Sequence, residues 1–163
     1  MNKVLLFVTV TLITTVPSLL AQSKTMPIAI TIEPVEKTPV KLGTDVRISI
    51  TVTNTSKEKV VFLKSPGPTH AGNWYDIVVS NTSGRSITKT RVKRILDGGG
   101  NVAGSNIALN LLPGDSVKEE AALNDLYELT TPGTYAVEVD RPFPDLHPVA
   151  KIKSNQISIT LER

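Results

Sequence analysis

The segment DVRISITVTN, residues 45–54, alternates apolar and polar side chains along its whole length. Successive side chains of an extended chain point to opposite faces, so one face of this segment would be entirely aliphatic. The aliphatic positions are Val46, Ile48, Ile50 and Val52. An uninterrupted period of two predicts a β-strand that buries one face and exposes the other.

The same period of two recurs along most of the chain. Further alternating triplets are Ile28/Ile30/Ile32, Tyr75/Ile77/Val79, Tyr135/Val137/Val139 and Ile157/Ile159/Leu161. Turn residues separate these segments, and no long segment after the N-terminal region has the apolar spacing of a helix. We therefore expect an all-β chain that folds as a single antiparallel immunoglobulin-like β-sandwich of about eight or nine strands. One short helical turn is expected near 125–129, and a closed barrel is the alternative architecture.

The segment NDLYELTTPGTYAVEVD, residues 124–140, is predicted to be a structural corner. Asn124 is expected to cap the short helical turn by accepting a hydrogen bond from a following N–H group. Pro132 and Gly133 would then reverse the chain. Tyr135 enters the next strand in phase with its aliphatic residues, so its ring should point inward and its hydroxyl should bond backbone across the corner.

The N-terminal region has the pattern of a secretory signal peptide. Lys3 precedes the uncharged run VLLFVTVTLITTV at 4–16, Pro17 ends that run, and Leu20-Ala21 precede Gln22. The run is shorter than the ~20 residues of a membrane-spanning helix. We expect residues 1–21 to be removed and 22–163 to form the mature domain, secreted or periplasmic, with no transmembrane span after cleavage.

Composition argues against several kinds of chemistry. The chain has no cysteine, so disulfides, catalytic thiols and thiolate metal sites are excluded. The two histidines, His70 and His147, do not form a metal-binding motif on a helix, and no G-x-S-x-G segment is present. We expect no catalytic residues, no metal ligands and no cofactor, and therefore a protein that is not an enzyme.

Two proline-containing segments are the predicted binding loops, KSPGPTHAGNW at 64–74 and RPFPDLHPVA at 141–150. Prolines reduce the entropy that a loop loses on ordering, and binding residues often lie on loops over a rigid scaffold. Trp74 and Phe143 are the candidate apolar anchors, although Trp74 is equally suited to covering the core. The candidate binding residues are Pro66, Pro68, His70, Trp74, Phe143, Asp145 and His147.

A basic stretch at 85–94 is predicted to be a strand with Lys89, Arg91 and Lys93 on one face. Such a ladder of cations would bind a polyanion such as an acidic polysaccharide. The alternative is an edge strand whose charges prevent pairing with other chains. No aromatic side chains interleave the charges, so nucleic-acid binding is not expected.

Two Asn-Thr-Ser triplets begin at Asn54 and Asn81, each directly after a predicted strand. Asn and Ser side chains bond local backbone groups, so both triplets are predicted to be turns that end the strands. They also match the N-glycosylation sequence.

Three short motifs carry a resemblance to known families: LPGDS at 112–116, DLYEL at 125–129 and PGTY at 132–135. Their order over residues 28–161 resembles the BsuPI-type proteinase inhibitor domain and the N-terminal β-sandwich of deuterolysin-like metallopeptidases. The resemblance implies a bacterial-type immunoglobulin-like sandwich. The metallopeptidase's helix with zinc histidines has no counterpart here, so the resemblance does not imply peptidase activity.

These patterns together predict an exported, non-catalytic, immunoglobulin-like binding or accessory module. Its partner would be another exported protein or a surface polysaccharide. Two alternatives stay open at this point. The chain would be a proteinase inhibitor, as the family resemblance implies, with 64–74 chosen by position as its acting loop, or a polysaccharide binder acting through the basic strand 85–94.

Overall fold

The computed structural model describes residues 27–64, 74–99, 107–143 and 150–163. Within these ranges the chain forms ten β-strands and two short helices, which confirms the predicted all-β sandwich. The strands are β1 (Ile28–Pro34), β2 (Val40–Lys41), β3 (Arg47–Asn54), β4 (Val60–Lys64), β5 (Asp76–Asn81), β6 (Ile107–Leu111), β7 (Ser116–Ala122), β8 (Gly133–Phe143), β9 (Ala150–Lys153) and β10 (Ile157–Glu162). The helices are α1 (Arg91–Asp97) and α2 (Leu123–Leu126). Neither of these helices is long and apolar enough to cross a membrane.

The strands form two larger sheets and one strand pair. One sheet has the order β1-β3-β7, and the other has the order β2-β10-β8-β5, with β9 also paired to β8. Strands β4 and β6 pair with each other. The described pairings are antiparallel, as predicted, apart from the short parallel pair of β2 with β10. Strand β8 lies against β5 on one side and against β10 and then β9 on the other, which makes it the centre of its sheet.

The inward faces of the sheets form a single hydrophobic core. Ile48, Ile50 and Val52 have no exposed surface, so the aliphatic face predicted for 45–54 is the buried face of β3. Val137 and Val139 of β8 are equally buried in the other sheet. Each such side chain contributes about 1.5–3 kcal/mol by leaving water, so the alternating segments supply most of the stabilisation.

A side-chain amide joins the two larger sheets. Asn155 lies between β9 and β10, and its Oδ1 accepts a hydrogen bond from the Ile32 N–H at 2.8 Å. Its Nδ2 donates to the Ile32 carbonyl at 3.0 Å. The amide thus pairs with β1 as the backbone of a neighbouring strand would.

The predicted corner at Pro132, Gly133 and Tyr135 lies at the start of β8. Tyr135 is 6% exposed, and its hydroxyl donates to the Thr131 carbonyl at 2.5 Å. Gly133 has φ = 151°, a backbone conformation that side chains disfavour, so glycine suits the first residue of β8.

The helical turn begins earlier than predicted, and its predicted cap is wrong. Helix α2 starts at Leu123, and Ala122 occupies the N-cap position without a side-chain hydrogen bond. The Asn124 Oδ1 instead accepts from the Val46 N–H at 2.7 Å. Asn124 therefore fixes α2 to the chain entering β3 rather than closing its own turn.

Both Asn-Thr-Ser triplets are turns of one kind, as predicted. The Oδ1 atoms of Asn54 and Asn81 each accept from the N–H and the hydroxyl of the serine two residues later. Asn54 has no exposed surface, and its Nδ2 donates to the carbonyls of Glu58 and Leu111. Asn81 is partly exposed. The Asn54 amide thus bonds both its own turn and the Leu111 carbonyl at the end of β6. Because it is fully buried, it is not accessible for glycosylation.

The predicted strand 85–94 is wrong, because its second half is helix α1. Thr90 caps the helix, its Oγ accepting from the Lys93 N–H at 3.3 Å. Val92 and Leu96, four residues apart, both pack against the core. Basic residues at every second position imitate a strand, whereas this four-residue apolar spacing is the helical signal.

Replacing Tyr135 with Phe should lower the free energy of unfolding by about 1 kcal/mol or more, because the Thr131 carbonyl loses its partner. Urea unfolding measures the change. Val61→Thr, at a position 53% exposed, is the control and should change stability by less than about 0.5 kcal/mol. Equal stability of Tyr135→Phe and the wild type would contradict the corner's role.

The two Asn-Thr-Ser turns form a matched pair that separates burial from turn geometry. Asn54→Ala should lower the free energy of unfolding by about 2 kcal/mol or more, because the carbonyls of Glu58 and Leu111 and the N–H of Ser56 lose their hydrogen-bond partner. Asn81→Ala should lower it by less than about 1 kcal/mol, because water reaches that turn. Losses of equal size would show that burial of Asn54 has no effect.

Candidate functional site

A cleft of about 570 Å³ lies beside the start of β5, between α1 and the end of β8. Its volume falls within the range of about 300–1,000 Å³ that is usual for small-molecule sites. The side chains that shape it are Trp74, Asp76, Val78, Lys93, Tyr127 and Pro142. Trp74 and Pro142 belong to the two proline-containing segments at 64–74 and 141–150, so described residues of both segments line the cleft.

A chain of ion pairs crosses this cleft with Lys93 at its centre. The Lys93 Nζ lies 3.0 Å from Asp76 Oδ1 and 2.7 Å from Asp97 Oδ1, and the side chain is only 4% exposed. Lys151 lies 3.3 Å from the other oxygen of Asp76. Lys89 lies 2.6 Å from the other oxygen of Asp97. The five charges alternate in sign, and each carboxylate bridges two lysines.

The pairing keeps these groups ionised. Burial alone would raise the pKa of Asp76, but hydrogen bonds from Lys93 and Lys151 outweigh it, and the pKa lies below its usual value. The pKa of Asp97 is lowered too, since bonds from Lys89 and Lys93 outweigh its burial. Burial would lower the pKa of Lys93, but its bonds to Asp97 and Asp76 raise it overall.

The free edge of β5 is covered where it faces the cleft. Tyr127 is 1% exposed, and its hydroxyl donates to the Ile77 carbonyl at 2.7 Å. The Ile87 N–H donates to the Val79 carbonyl at 3.2 Å. Burial raises the pKa of Tyr127, so its phenol keeps the proton that it donates.

The predicted basic face does not exist in this fold. Lys93 is buried in the cleft, and Lys89 is turned toward Asp97. Arg91 is exposed at the first residue of α1. The three cations were expected on one side of a strand, and the helix and its ion pairs separate them.

Behind the cleft, Arg141 lies inside a cage of aromatic rings. The side chain is 4% exposed, and its guanidinium carbon lies 4.1 Å from the ring centre of Phe62. Three more rings have their centres 5.0–5.3 Å away. These rings belong to Trp74, Tyr75 and Phe143. Aromatic faces attract a cation, and the attraction is stronger away from water.

A buried carboxylate completes the surroundings of Arg141. The Glu119 side chain is 3% exposed, and its Oε2 lies 3.7 Å from Arg141 Nη1. The Tyr75 hydroxyl donates to the same oxygen at 2.5 Å, and burial raises the pKa of Tyr75. Arg141 Nη2 donates to the Leu63 carbonyl at 2.5 Å. The sequence signal for this cluster was a charged residue, Glu119, in phase with the apolar positions of β7.

The aromatic anchors predicted for the two segments have different fates. Phe143 is 7% exposed and packs on Arg141, so its prediction as an exposed anchor is wrong. Trp74 packs against the core and also lines the cleft, which agrees with both interpretations of that residue. The remaining candidates lie outside the described residues, namely Pro66, Pro68, His70, Asp145 and His147.

Comparison with protein-family models finds no match to this chain, and comparison with curated proteins finds none either. In the part of the chain that the structure describes, no group of three or more His, Cys, Asp or Glu side chains is placed to hold a metal ion. Function is therefore inferred from the fold and the cleft.

Replacing Arg141 with Met should lower the free energy of unfolding by about 3 kcal/mol or more, because it leaves Glu119 buried without a cation. Adding Glu119→Gln to that variant should recover part of the loss. Arg47→Met, which breaks exposed pairs with Glu36 and Glu120, is the matched control and should lose less than about 1 kcal/mol. Similar losses at Arg141 and Arg47, measured by urea unfolding, would contradict the buried pair.

Asp76→Asn should destabilise the protein at neutral pH and progressively less in acid. Because the pKa of Asp76 is lowered in the folded state, its contribution is present above its unfolded pKa of about 3.9 and is lost as pH falls through the folded value. Unfolding midpoints of the variant and the wild type, measured from pH about 7 to about 2.5, should converge. A constant difference over this range would show that the ion pairs do not stabilise the fold.

Proposed function

We propose that this protein is an exported, non-catalytic binding module of immunoglobulin-like type, with its ligand surface at the cleft beside β5. The signal-like pattern of residues 1–21 supports export. A rigid sandwich with a cleft at one end is a common arrangement for recognition, because the scaffold positions the side chains that contact the ligand.

The observation that carries this proposal is the continuous series of ion pairs around Lys93. Its Nζ is bonded to Asp76 and to Asp97, and each carboxylate is held by a second lysine. General acid–base catalysis works best with a group whose pKa lies near the working pH. Here the pairing shifts the pKa values away from neutrality. Groups held in one charge state suit the positioning of hydrogen bonds better than proton transfer.

The Arg141 cluster supports the placement of the ligand surface. Arg141 bonds the end of β4 at Leu63 and contacts Trp74 and Phe143. These residues are at or next to the described ends of the two proline-containing segments. Described residues that are already held in place lose less conformational entropy on binding, which favours affinity.

Proteinase inhibition through 64–74 is the second candidate. It rests on the family resemblance and on one observation, the contact of Arg141 with both Leu63 and Trp74. Inhibitors of proteinases bind through preformed surfaces, and Arg141 holds the described residues on either side of 65–73.

Binding is tested with a matched pair of variants. Val78 lines the cleft and is 42% exposed, and Val61 is 53% exposed on β4 and does not line it. Val78→Arg fills the cleft, whereas Val61→Arg adds the same charge and bulk elsewhere. Purified wild type, Val78→Arg and Val61→Arg should be compared in thermal-shift titrations against surface polysaccharides and purified exported proteins.

We expect at least one of these ligands to raise the melting temperature of the wild type and of Val61→Arg, and to leave that of Val78→Arg unchanged. Hydrolytic turnover of any ligand by the wild type, lost in Val78→Arg, would overturn the non-catalytic assignment. Inhibition of a serine, cysteine or metallo-proteinase at about micromolar protein would identify the ligand as a proteinase.

A further inference from the structure

We infer that the cleft beside β5 binds a neutral saccharide. This inference rests on the proposed function and adds the chemical class of the ligand. Three properties of the cleft carry it: a balance of charge, an alternation of hydrogen-bond acceptors and donors, and an exposed apolar wall.

The charges around the cleft cancel. The charged side chains that line it are Lys89, Lys93, Asp76 and Asp97, and their ion pairs join each lysine to a carboxylate. The numbers of cations and anions are equal, and each cation lies within 3.0 Å of a carboxylate oxygen. Such a site has little net field with which to select an anion or a cation, so an uncharged ligand fits it best.

The hydrogen-bonding groups suit hydroxyls. Both oxygens of Asp76 and both oxygens of Asp97 accept one bond from a lysine, which leaves acceptor capacity at fixed positions. The ammonium of Lys89 lines the same cleft as a donor, with one of its three N–H groups given to Asp97. The hydroxyl of Ser86 donates to the Ile87 carbonyl and adds a further acceptor. A sugar hydroxyl both donates and accepts, and neighbouring hydroxyls on one ring match neighbouring acceptors and donors.

The apolar wall suits the flat face of a sugar ring. Val78 and Pro142 are exposed on the wall, and Trp74 is partly buried beside them. The C–H groups on one face of a pyranose are apolar, so a ring lying on these side chains buries them while its hydroxyls reach the charged groups.

An extended peptide fits this cleft less well. A peptide that adds to a sheet needs free N–H and C=O groups along an edge strand. The carbonyls of Ile77 and Val79 on the edge of β5 are already bonded, to the Tyr127 hydroxyl and the Ile87 N–H. The edge is therefore closed to strand addition at the centre of β5.

The test uses a property of the sequence, that Trp74 is the single tryptophan of the chain. Its fluorescence therefore comes from one residue that lines the cleft, and the variants below separate binding in the cleft from changes elsewhere around Trp74. The purified protein should be titrated with neutral hexasaccharides of glucose, mannose, xylose and N-acetylglucosamine. We expect a saturable change with at least one of them, and an affinity that stays constant from about 50 to about 500 mM NaCl because the ligand is uncharged.

The variants locate the binding. Val78→Arg should weaken the affinity about tenfold or more, and Val61→Arg should leave it unchanged. Ser86→Arg fills the same cleft from the segment that runs antiparallel to the end of β5, and it replaces Val78→Arg if that protein loses the wild-type melting curve.

Three results would overturn the saccharide assignment. These are no fluorescence change with any hexasaccharide at about 10 mM, binding of heparin alone that is lost with added salt, and equal weakening by Val61→Arg and Val78→Arg. If an exported protein binds in a Val78-dependent manner and the hexasaccharides do not, the ligand class is wrong and the proposed function stands. Val78-dependent hydrolysis of a hexasaccharide would instead refute the non-catalytic function while supporting the ligand class.

Discussion

The buried guanidinium of Arg141 is the constraint on which the architecture depends. A cation taken out of water loses several kcal/mol of solvation, so the surrounding groups must replace what water supplied. Here a carboxylate, a backbone carbonyl and four aromatic faces do so. The carboxylate comes from β7 and the carbonyl from β4, while Arg141 itself is on β8. One side chain therefore connects all three sheets, and the described part of β4–β6 shares no ladder with the other strands.

The alternation along β5 and β8 places the cage and the cleft back to back. Tyr75 and Ile77 point into the core, while Asp76 and Val78 point outward beside α1. On β8, Arg141 points inward and its neighbour Asp140 pairs with Lys151 on the other side. The cage thus fixes the backbone from which the outward side chains of the cleft project. Because the packed inner face holds the backbone in place, the side chains on the outer face are positioned precisely.

Sequence periodicity predicted β1, β3, β5, β8 and β10 because alternation depends on neighbouring residues. The aliphatic face of β3 and the hydrogen bond of Tyr135 follow from local pattern and turn chemistry. The strand predicted for 85–94 is wrong because alternating basic residues resemble a strand. Helix α1 is also too short to show a full helical stripe of apolar residues. The single local clue was Thr90 followed by Val92 and Leu96, which is the start of a capped amphipathic turn.

The candidate site was less predictable because its partners are distant in sequence. Glu119 was visible as a charge in an apolar phase, but nothing near it identifies Arg141 as its counter-ion. In the sequence Lys93 is one of several cations predicted at the surface. Its partner Asp76 is 17 residues away and comes beside it only in the folded protein. Phe143 has a proline on each side, and prolines favour a turn. The sequence therefore predicts a loop here, whereas β8 continues to Phe143 and its ring is buried.

Charge has the same role in both clusters, although one is closed and the other is open to solvent. In the cage, Arg141 and Glu119 stabilise each other and hold strands together. In the cleft, two lysines and two aspartates cancel and hold hydrogen-bonding atoms in place. A protein that attracts a polyanion requires an excess of positive charge on its binding surface. In this cleft the charges are paired, and the pairs fix the positions of the hydrogen-bonding atoms. Selectivity at such a site must come from the positions of acceptors, donors and apolar area, which is the kind of information that a neutral, stereochemically rich ligand carries.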